Sequence, residues 1–115
     1  SFYKNLLSNI RIIMQDNSRW VPLESSPAWD GNTAYRNFIG LFNSNYFLAI
    51  INYSDSQSQC YLHLNLNGIR SRNALFKDLL SSAEYMRNSE EIAERGFYLD
   101  IPPYGFHLFK ITGVD

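Results

Sequence analysis

Two strand-like runs near the end of the chain decide its fold class, Phe97-Tyr-Leu-Asp-Ile101 and Phe106-His-Leu-Phe-Lys-Ile111. The first run alternates apolar and polar residues, as a strand with one buried face does. Pro102-Pro103-Tyr104-Gly105 separates the two runs. Proline has no N–H and fixes φ, so these residues interrupt any ladder between the runs and turn the chain. The stretch therefore predicts the two closing strands of an all-β domain.

The middle of the chain carries the strongest strand signals before this ending. Tyr35–Phe42 and Phe47–Tyr53 predict a hairpin about Asn43-Ser44-Asn45, since Asn and Ser tolerate turn conformations. The second run is apolar on both parities, which is typical of a central strand covered on both faces. Gln59–Leu66 alternates most regularly. Its predicted core side consists of Cys60, Leu62, Leu64 and Leu66.

Shorter segments complete the predicted fold. Trp20–Glu24 is predicted as an edge strand because it contains Pro22, and Tyr85–Arg87 as a short strand. Ala74–Leu80 is either strand or helix, and Ser89–Arg95 is a loop or one helical turn. Composition predicts a loop over Ser25–Thr33. The pattern predicts a Greek-key β-sandwich of about six to eight antiparallel strands.

The first eighteen residues have a different periodicity. Phe2–Met14 predicts an amphipathic helix. Its apolar positions are Phe2, Tyr3, Leu6, Leu7, Ile10, Ile13 and Met14. We therefore divide the chain into a helix over 1–18 and a β-sandwich domain over 19–115. A lone helix before a β domain needs a partner surface, either the sandwich itself or a neighbouring domain.

Composition limits the classes of partner. The chain has 115 residues, enough for one domain. Its net charge is −1 and it has no basic cluster, so we expect no nucleic-acid partner. No apolar run approaches the ~20 residues that span a bilayer, so we expect no membrane partner. The single cysteine, Cys60, excludes an internal disulfide.

The residues that could carry catalysis or bind metal are few and scattered. The eleven acidic residues lie mostly in predicted loops or on outward strand positions, where surface charge is the simplest interpretation. Cys60 and His63 point to opposite faces of one predicted strand, and the chain has only one further histidine, His107. A zinc site needs three or four ligands. We therefore predict no catalytic residue, no metal site and no cofactor.

Sugar binding is the remaining site hypothesis, since pyranose rings stack on exposed aromatic faces. The candidates are Trp29, Trp20 and Tyr85. Trp29 is the leading one, because Trp29-Asp-Gly-Asn32 places hydrogen-bonding groups beside a flat ring. The competing interpretation is that Trp29 covers the core or an adjoining domain, as large aromatic residues often do.

Four stretches, in order along the chain, resemble the C-terminal β-sandwich domain (domain C) of the α-amylase family of glycoside hydrolases. The opening helix, with Arg11, is similar to the last helix of that family's catalytic barrel. Tyr35–Ser54, ending in Ile50-Ile-Asn-Tyr-Ser54, is similar to its first hairpin. Phe76–Leu80 resembles its Asp-Leu-Leu strand and turn, and Leu99–Gly105 resembles its closing turn.

The resemblance implies a non-catalytic accessory domain that packs on the (β/α)8 barrel of the same parent chain and stabilises it. Such a barrel needs ~250 residues, so it cannot be contained in this chain. The parent is then expected to be a hydrolase or transglycosylase acting on α-glucosidic bonds. If 1–18 is the last barrel helix, its exposed apolar face also predicts a weak homodimer.

Two alternatives remain open at this stage. One is a carbohydrate-binding module for starch or glycogen, which requires at least two exposed aromatic rings in one plane. The other is an unrelated interaction β-sandwich, in which the opening helix packs on its own sheet and leaves no large apolar patch.

Overall fold

The computed structural model describes residues 19–115, so the predicted helix over 1–18 lies outside the described residues. The described part is mostly β, with nine strands, one short α-helix and one 3-10 helix, Ala34–Asn37. The strands are β1 Trp20–Pro22, β2 Ser25–Ser26, β3 Phe38–Asn43, β4 Phe47–Asn52, β5 Ser58–Leu62, β6 Asn73–Asp78, β7 Glu84–Asn88, β8 Phe97–Ile101 and β9 Phe106–Val114. The α-helix, α1, is Ser89–Arg95.

The strands form two antiparallel sheets. The larger sheet has the order β1-β3-β4-β9-β6-β7, and the smaller one has the order β2-β5-β8. The predicted antiparallel β class is confirmed, with nine described strands instead of six to eight. The strand that the sequence did not reveal is β2, which was assigned to a loop. It has two residues and forms because Ser25 lies opposite Leu62 of β5.

Two predicted strand positions in the larger sheet are confirmed. β1 lies at an edge, as Pro22 required, and β4 lies in the interior of the sheet. The predicted hairpin is β3–β4, but Tyr35 lies in the 3-10 helix, so β3 begins only at Phe38. Tyr46, with φ of 65°, turns the chain, and its N–H donates to the Asn43 carbonyl.

The structure also assigns the remaining predicted segments. β5 ends at Leu62, earlier than predicted, although Leu64 and Leu66 beyond it stay buried. The ambiguous run 74–80 contributes strand β6, and 89–95 forms the seven-residue helix α1. The side chain of Asn88 caps α1 by accepting from the Glu91 N–H at 2.9 Å.

The core lies between the two sheets. Leu48 and Ile50 of β4 are fully buried, as are Cys60 and Leu62 of the smaller sheet. Phe76 of the larger sheet stacks on Phe97 of the smaller one, with ring centroids 4.1 Å apart. The sheets approach closely at Gly40, where a Cβ atom would lie 3.0 Å from Leu62 Cδ1.

The two closing strands do not pair with each other. β8 pairs with β5 in the smaller sheet, whereas β9 lies between β4 and β6 in the larger one. The Pro102–Gly105 turn therefore carries the chain from one sheet to the other. Its N–H of Gly105 donates to the Pro102 carbonyl, and Tyr104 adopts φ of 53°.

The side chain of Asn52, at the end of β4, fixes this turn. Asn52 is fully buried. Its Nδ2 donates to the carbonyl oxygens of Ser56, Ile101 and Pro102 at 2.8, 2.9 and 3.1 Å. Its backbone N–H donates to the Gly105 carbonyl. One residue therefore joins β4, the loop before β5 and the β8–β9 connection.

Replacing Asn52 by Ala is expected to lower the free energy of unfolding by about 2–4 kcal/mol, because a buried carbonyl without a donor costs about 1–3 kcal/mol. Urea denaturation measures the change. Asn67→Ala is the matched control, since Asn67 is exposed, and its effect should stay within about 0.5 kcal/mol. Equal effects of the two substitutions would show that the amide does not hold the turn.

Candidate functional site

The structure does not bring the three candidate sugar-binding aromatics together. Trp20 lies in β1 and Tyr85 in β7, at opposite edges of the six-stranded sheet. Five strand spacings of about 4.8 Å separate these edges by about 24 Å. Trp29 lies in the connection between β2 and the 3-10 helix. A shared flat platform of the three rings is therefore not formed.

Trp29 has the most accessible ring of the three. It is 51% exposed, whereas Trp20 and Tyr85 are half-buried. Its loop is held from within: Asn32 Oδ1 accepts from the Ala28 N–H at 3.0 Å, and the Asn32 N–H donates to the Trp29 carbonyl at 3.1 Å. Trp29 thus remains a single exposed ring on an ordered turn.

The outer face of the larger sheet, the side away from the smaller sheet, is apolar over β3, β4 and the start of β9, whereas Lys77, Glu84 and Lys110 lie on this face towards the β7 edge. Alternation along β3, β4 and β9 places two cross-strand rows on this face. One row is Ile39–Ile51–Phe106, and the other is Leu41–Ala49–Leu108. The outer face of the smaller sheet instead presents Gln59, Tyr61, Tyr98 and Asp100. The two faces of the domain that point away from the core therefore differ in chemistry.

The first of these rows continues into an exposed aromatic patch. Ile39 is 51% exposed and Phe106 is 39% exposed. Tyr53 and Tyr104, next to this row, are 68% and 60% exposed and meet edge to face at 6.2 Å. We call Ile39, Ile51, Tyr53, Tyr104 and Phe106 the end patch. Its aromatic side chains are of the kind enriched at protein interfaces.

A carboxylate–imidazole pair lies on the inner face of β9, the face towards the smaller sheet. Asp78 is 3% exposed, and its Oδ2 lies 2.8 Å from Nδ1 of His107. The carboxylate also accepts from the Leu80 N–H and the Ser81 hydroxyl. The His107 ring stacks on Phe109. Because an ionised carboxylate only accepts hydrogen bonds, Nδ1 carries a proton in this contact, and Nε2 is the ring nitrogen left for another partner.

His107 lines a cavity of about 210 Å³ between the β7 edge of one sheet and β8 of the other. The polar residues of its lining are Tyr85, Arg87, Tyr98, Asp100 and His107. The Arg87 guanidinium lies 5.5 Å from the centre of the Tyr85 ring. Drug-sized ligands occupy roughly 300–1,000 Å³, so this cavity has room for one ring or one side chain. Tyr85 is the only sequence-predicted candidate that lines it.

Sequence reasoning missed the Asp78–His107 pair as a unit, although one signal was present. On β9, His107 shares its parity with Phe109 and Ile111, which are core residues. A histidine on a core-facing position needs a hydrogen-bonding partner. Its partner lies 29 residues away, so only the tertiary fold identifies it.

A serine–histidine contact also emerges from the fold. The Ser26 hydroxyl lies 2.8 Å from Nε2 of His63, which is exposed. That distance is suitable for a nucleophile and its base, but a base also needs an orienting group. Among residues 19–115, no carboxylate bonds to the His63 ring. We assign it no catalytic role.

Cys60 is fully buried in the core, and burial raises the pKa of its thiol to about 12. The thiolate is the reactive form of cysteine, so this thiol is protonated and inert near neutral pH. Within 19–115, no group of three or more His, Cys, Asp and Glu side chains is placed to hold a metal ion. No helix of the same range is long and apolar enough to cross a membrane.

Comparison of the chain with protein-family models, with curated proteins and with solved structures gives no match. The resemblance to the α-amylase C-terminal domain therefore rests on its residues alone.

Replacing Asp78 by Asn should destabilise the fold by about 1–3 kcal/mol, because the amide keeps only one of the two oxygens that accept from Leu80, Ser81 and His107. Chemical denaturation measures the loss. Asp55→Asn is the control, since Asp55 is an exposed carboxylate in a loop, and it should change stability by no more than about 0.5 kcal/mol. An Asp78→Asn variant with unchanged stability would contradict a structural role for the pair.

Proposed function

We propose that this chain is the non-catalytic C-terminal accessory domain of an α-amylase-like glycoside hydrolase or transglycosylase. In this role it packs on the catalytic (β/α)8 barrel of the same parent chain and stabilises it. The observation that carries the proposal is the pair of apolar rows over β3, β4 and β9 on the outer face of the larger sheet. Antiparallel sheets of free-standing domains commonly keep one face polar for solvent. An exposed apolar patch is typical of a docking surface.

The positions of the motif residues support the family part of the proposal. Asn52 and Ser54, from the Asn-Tyr-Ser motif, contact the Pro-Pro-Tyr-Gly turn: Asn52 through its side chain, and Ser54 through its carbonyl, which accepts from the Tyr104 N–H at 3.0 Å. Asp78, from the Asp-Leu-Leu motif, bonds to His107 of the last strand. Two of the stretches, Tyr35–Ser54 and Leu99–Gly105, thus interact directly, and the third bonds to the strand that follows the closing turn. This gives a physical reason for their joint occurrence in one domain.

We also propose that the sandwich has Greek-key connections. In this proposal one helix over 1–18, the end of the barrel, precedes the sandwich. In support, the last strand β9 inserts between β4 and β6 rather than adding at an edge. The β4–β5 and β8–β9 connections both pass between the sheets, as in a sandwich of this kind.

The proposal places the chemistry in the parent barrel. Retaining hydrolysis of a glycosidic bond uses two carboxyl groups, one as nucleophile and one as acid and base. No residue of this chain is assigned to that pair. The contribution of the domain is stability, through the apolar area that it covers on the barrel and on itself.

The double substitution Ile39→Ser and Phe106→Ser tests the docking role. Both residues are more than one-third exposed, so we expect the isolated chain to keep its melting temperature. In the parent enzyme, the same change should lower stability by about 2–4 kcal/mol, because two apolar side chains lose their burial. Thermal denaturation of both proteins measures the contrast.

Tyr98→Ser is the matched control for this experiment. Tyr98 is 41% exposed but lies on the outer face of the smaller sheet. It should have the same small effect in both proteins. A parent sequence without a carboxylate-bearing barrel before residue 1 would reject the proposal, as would equal effects of the double substitution in both proteins.

A carbohydrate-binding module is the second candidate, and the cavity beside Tyr85 favours it. The cavity is lined by the aromatic residues Tyr85, Phe97 and Phe109 and by Arg87 and His107. Aromatic rings beside the donors of Arg87 and the imidazole of His107 suit a neutral hydroxyl-rich ligand such as one unit of an α-glucan.

Retardation in a starch-containing native gel tests this second candidate. The unmodified chain should be retarded, and Tyr85→Ala should remove the retardation by deleting the aromatic wall of the cavity. Trp29→Ala should leave it unchanged, since Trp29 is not among the cavity residues. A chain that migrates equally with and without starch has no such function. Loss of retardation in Trp29→Ala alone would place the site on the Trp29 loop.

A further inference from the structure

The smaller sheet ends at β8, which has one unpaired side. Within residues 19–115, β8 pairs with β5 alone, at the end of the order β2-β5-β8. On the unpaired side of an edge strand, alternate residues present a backbone N–H and a C=O without a ladder partner. At the end of β8, the carbonyl oxygen of Ile101 accepts from Asn52 Nδ2. The open stretch of backbone is therefore Phe97–Asp100.

The cavity of about 210 Å³ beside Tyr85 follows this free edge. All five residues of β8, Phe97–Ile101, line it in succession. Consecutive strand residues point to opposite faces of a sheet, so a cavity that touches every one of them lies beside the strand. The facing wall is formed by Tyr85 and Arg87 of β7 and by His107 and Phe109 of β9. We call this cavity the edge groove.

The larger sheet extends past β8, where the smaller sheet stops. The ring of Phe97 in β8 stacks on that of Phe76 in β6, and β7 is the next strand beyond β6. Tyr85 lies opposite Phe76 in the β6–β7 ladder, so Tyr85 and Arg87 are on the inner face of β7. Tyr85 is half-buried and Arg87 is exposed. The space beside β8 is therefore the position of a fourth strand of the smaller sheet, with β7 facing it.

We propose that the edge groove binds an extended peptide, which pairs with β8 as the fourth strand of the smaller sheet. Its backbone bonds to the open groups of Phe97–Asp100. It runs antiparallel to β8, as in every strand pair within residues 19–115. Strand addition to a free sheet edge is a recurring mode of peptide recognition, with affinity from the backbone and specificity from alternate side chains.

β8 lacks the features with which edge strands usually avoid pairing. Such strands commonly carry proline, lysine or a bulge. Phe97–Ile101 contains no proline and no lysine, and its register with β5 is continuous. Its one charged group, the Asp100 carboxylate, accepts from Gln57 and Gln59 at 2.8 and 3.0 Å, on the β5 side. The free edge is therefore left open for pairing.

Arg87 specifies an acidic side chain in the peptide. Its guanidinium lies 5.5 Å from the centre of the Tyr85 ring and 6.0 Å from that of the Phe97 ring, so it is placed at the groove. Among residues 19–115, no carboxylate forms an ion pair with it. The planar fork of donors on arginine matches the two oxygens of a carboxylate. Charge complementarity therefore favours a peptide with Asp or Glu beside Arg87.

The position of Arg87 also sets the order of side chains in the peptide. Arg87 lies near Phe97, at the start of β8, so the acidic residue of an antiparallel peptide comes late. Alternate side chains of an added strand point to the same face. The residue two positions earlier therefore also points between the sheets, where Tyr85 and Phe109 offer apolar rings. The expected pattern is an apolar residue, any residue, and an acidic residue.

This inference does not depend on the parent enzyme, because the end patch lies on the outer face of the larger sheet and the edge groove lies between the sheets. It does compete with the carbohydrate candidate, since a glucan unit would occupy the same cavity. The free backbone edge favours the peptide. Alternating N–H and C=O groups at strand spacing match another strand, whereas a sugar ring has no such repeat.

Titration of the full chain with a blocked pentapeptide tests the proposal. The probe is acetyl-Thr-Leu-Thr-Glu-Thr-amide, in which leucine and glutamate are the inward side chains. Hydrogen exchange of the β8 amides is measured by NMR with and without the probe. At a free probe concentration of about ten times Kd, the fast-exchanging amides, every second one in Phe97–Asp100, should slow about tenfold.

Charge reversal tests the role of Arg87. Arg87→Glu should weaken binding of the probe about tenfold, a factor that one charge-assisted hydrogen bond can supply. It should bind a probe with lysine in place of glutamate more tightly than the unmodified chain does. Arg70→Glu is the matched control, since Arg70 is exposed and does not line the groove. Should Arg87→Glu not fold, the lysine probe on the unmodified chain decides, and it should bind about tenfold more weakly than the glutamate probe.

Several results would overturn the proposal. One is unchanged β8 exchange at the highest soluble probe concentration, and another is equal binding of the glutamate and lysine probes. Slow exchange of every amide of Phe97–Asp100 in the free chain would mean that the edge is already occupied. If that protection rises with protein concentration, the occupant is a second copy. Shifts of the Tyr85 and Phe97 signals with maltotetraose but not with the probe would make the groove a sugar site instead.

Discussion

The buried amide of Asn52 is the interaction on which the two-sheet arrangement depends. β4 and β9 belong to the larger sheet and β5 and β8 to the smaller one. The chain crosses between the sheets six times, and two of these crossings follow β4 and β8. These two meet at Asn52, whose Nδ2 donates to carbonyls of both connections. The prolines of the second crossing supply no N–H of their own, so the closing turn relies on donors from elsewhere. A side-chain amide is suited to this because it can reach several carbonyls that no backbone ladder serves.

A second constraint follows from the central position of β4. Its residues are apolar on both parities, so both faces of the larger sheet need cover. The smaller sheet covers the inner face around Leu48 and Ile50. It does not extend to the outer face, where the Ile39 row and the Leu41 row lie. The smaller sheet therefore covers one face of the larger sheet and not the other. In the proposed accessory role, a neighbouring domain covers part of that outer face.

The part of this fold that could be predicted is the part that local periodicity indicates. Alternation assigned the core parity of β5 correctly from Cys60 and Leu62, and Pro22 placed β1 at an edge. The two-residue strand β2 was not predictable, because it exists only through its pairing with β5. Nor did the sequence tell that β8 and β9 lie in different sheets, since both have the same strand signal. Sheet membership depends on contacts between residues that are far apart in the chain.

Even less of the candidate site could be predicted from the sequence. Tyr85 was recognised as an aromatic candidate, but its neighbours in the cavity come from β7, β8 and β9, and no local pattern joins them. The Asp78–His107 pair has the geometry that orients an imidazole, yet within the described residues no hydroxyl or thiol is bonded to the His107 ring. The Leu80 N–H and the Ser81 hydroxyl bond Asp78 to the turn after β6, and His107 joins this turn to β9. These contacts give the pair a structural role where β6 and β9 meet, and this role depends on residues that no local pattern brings together.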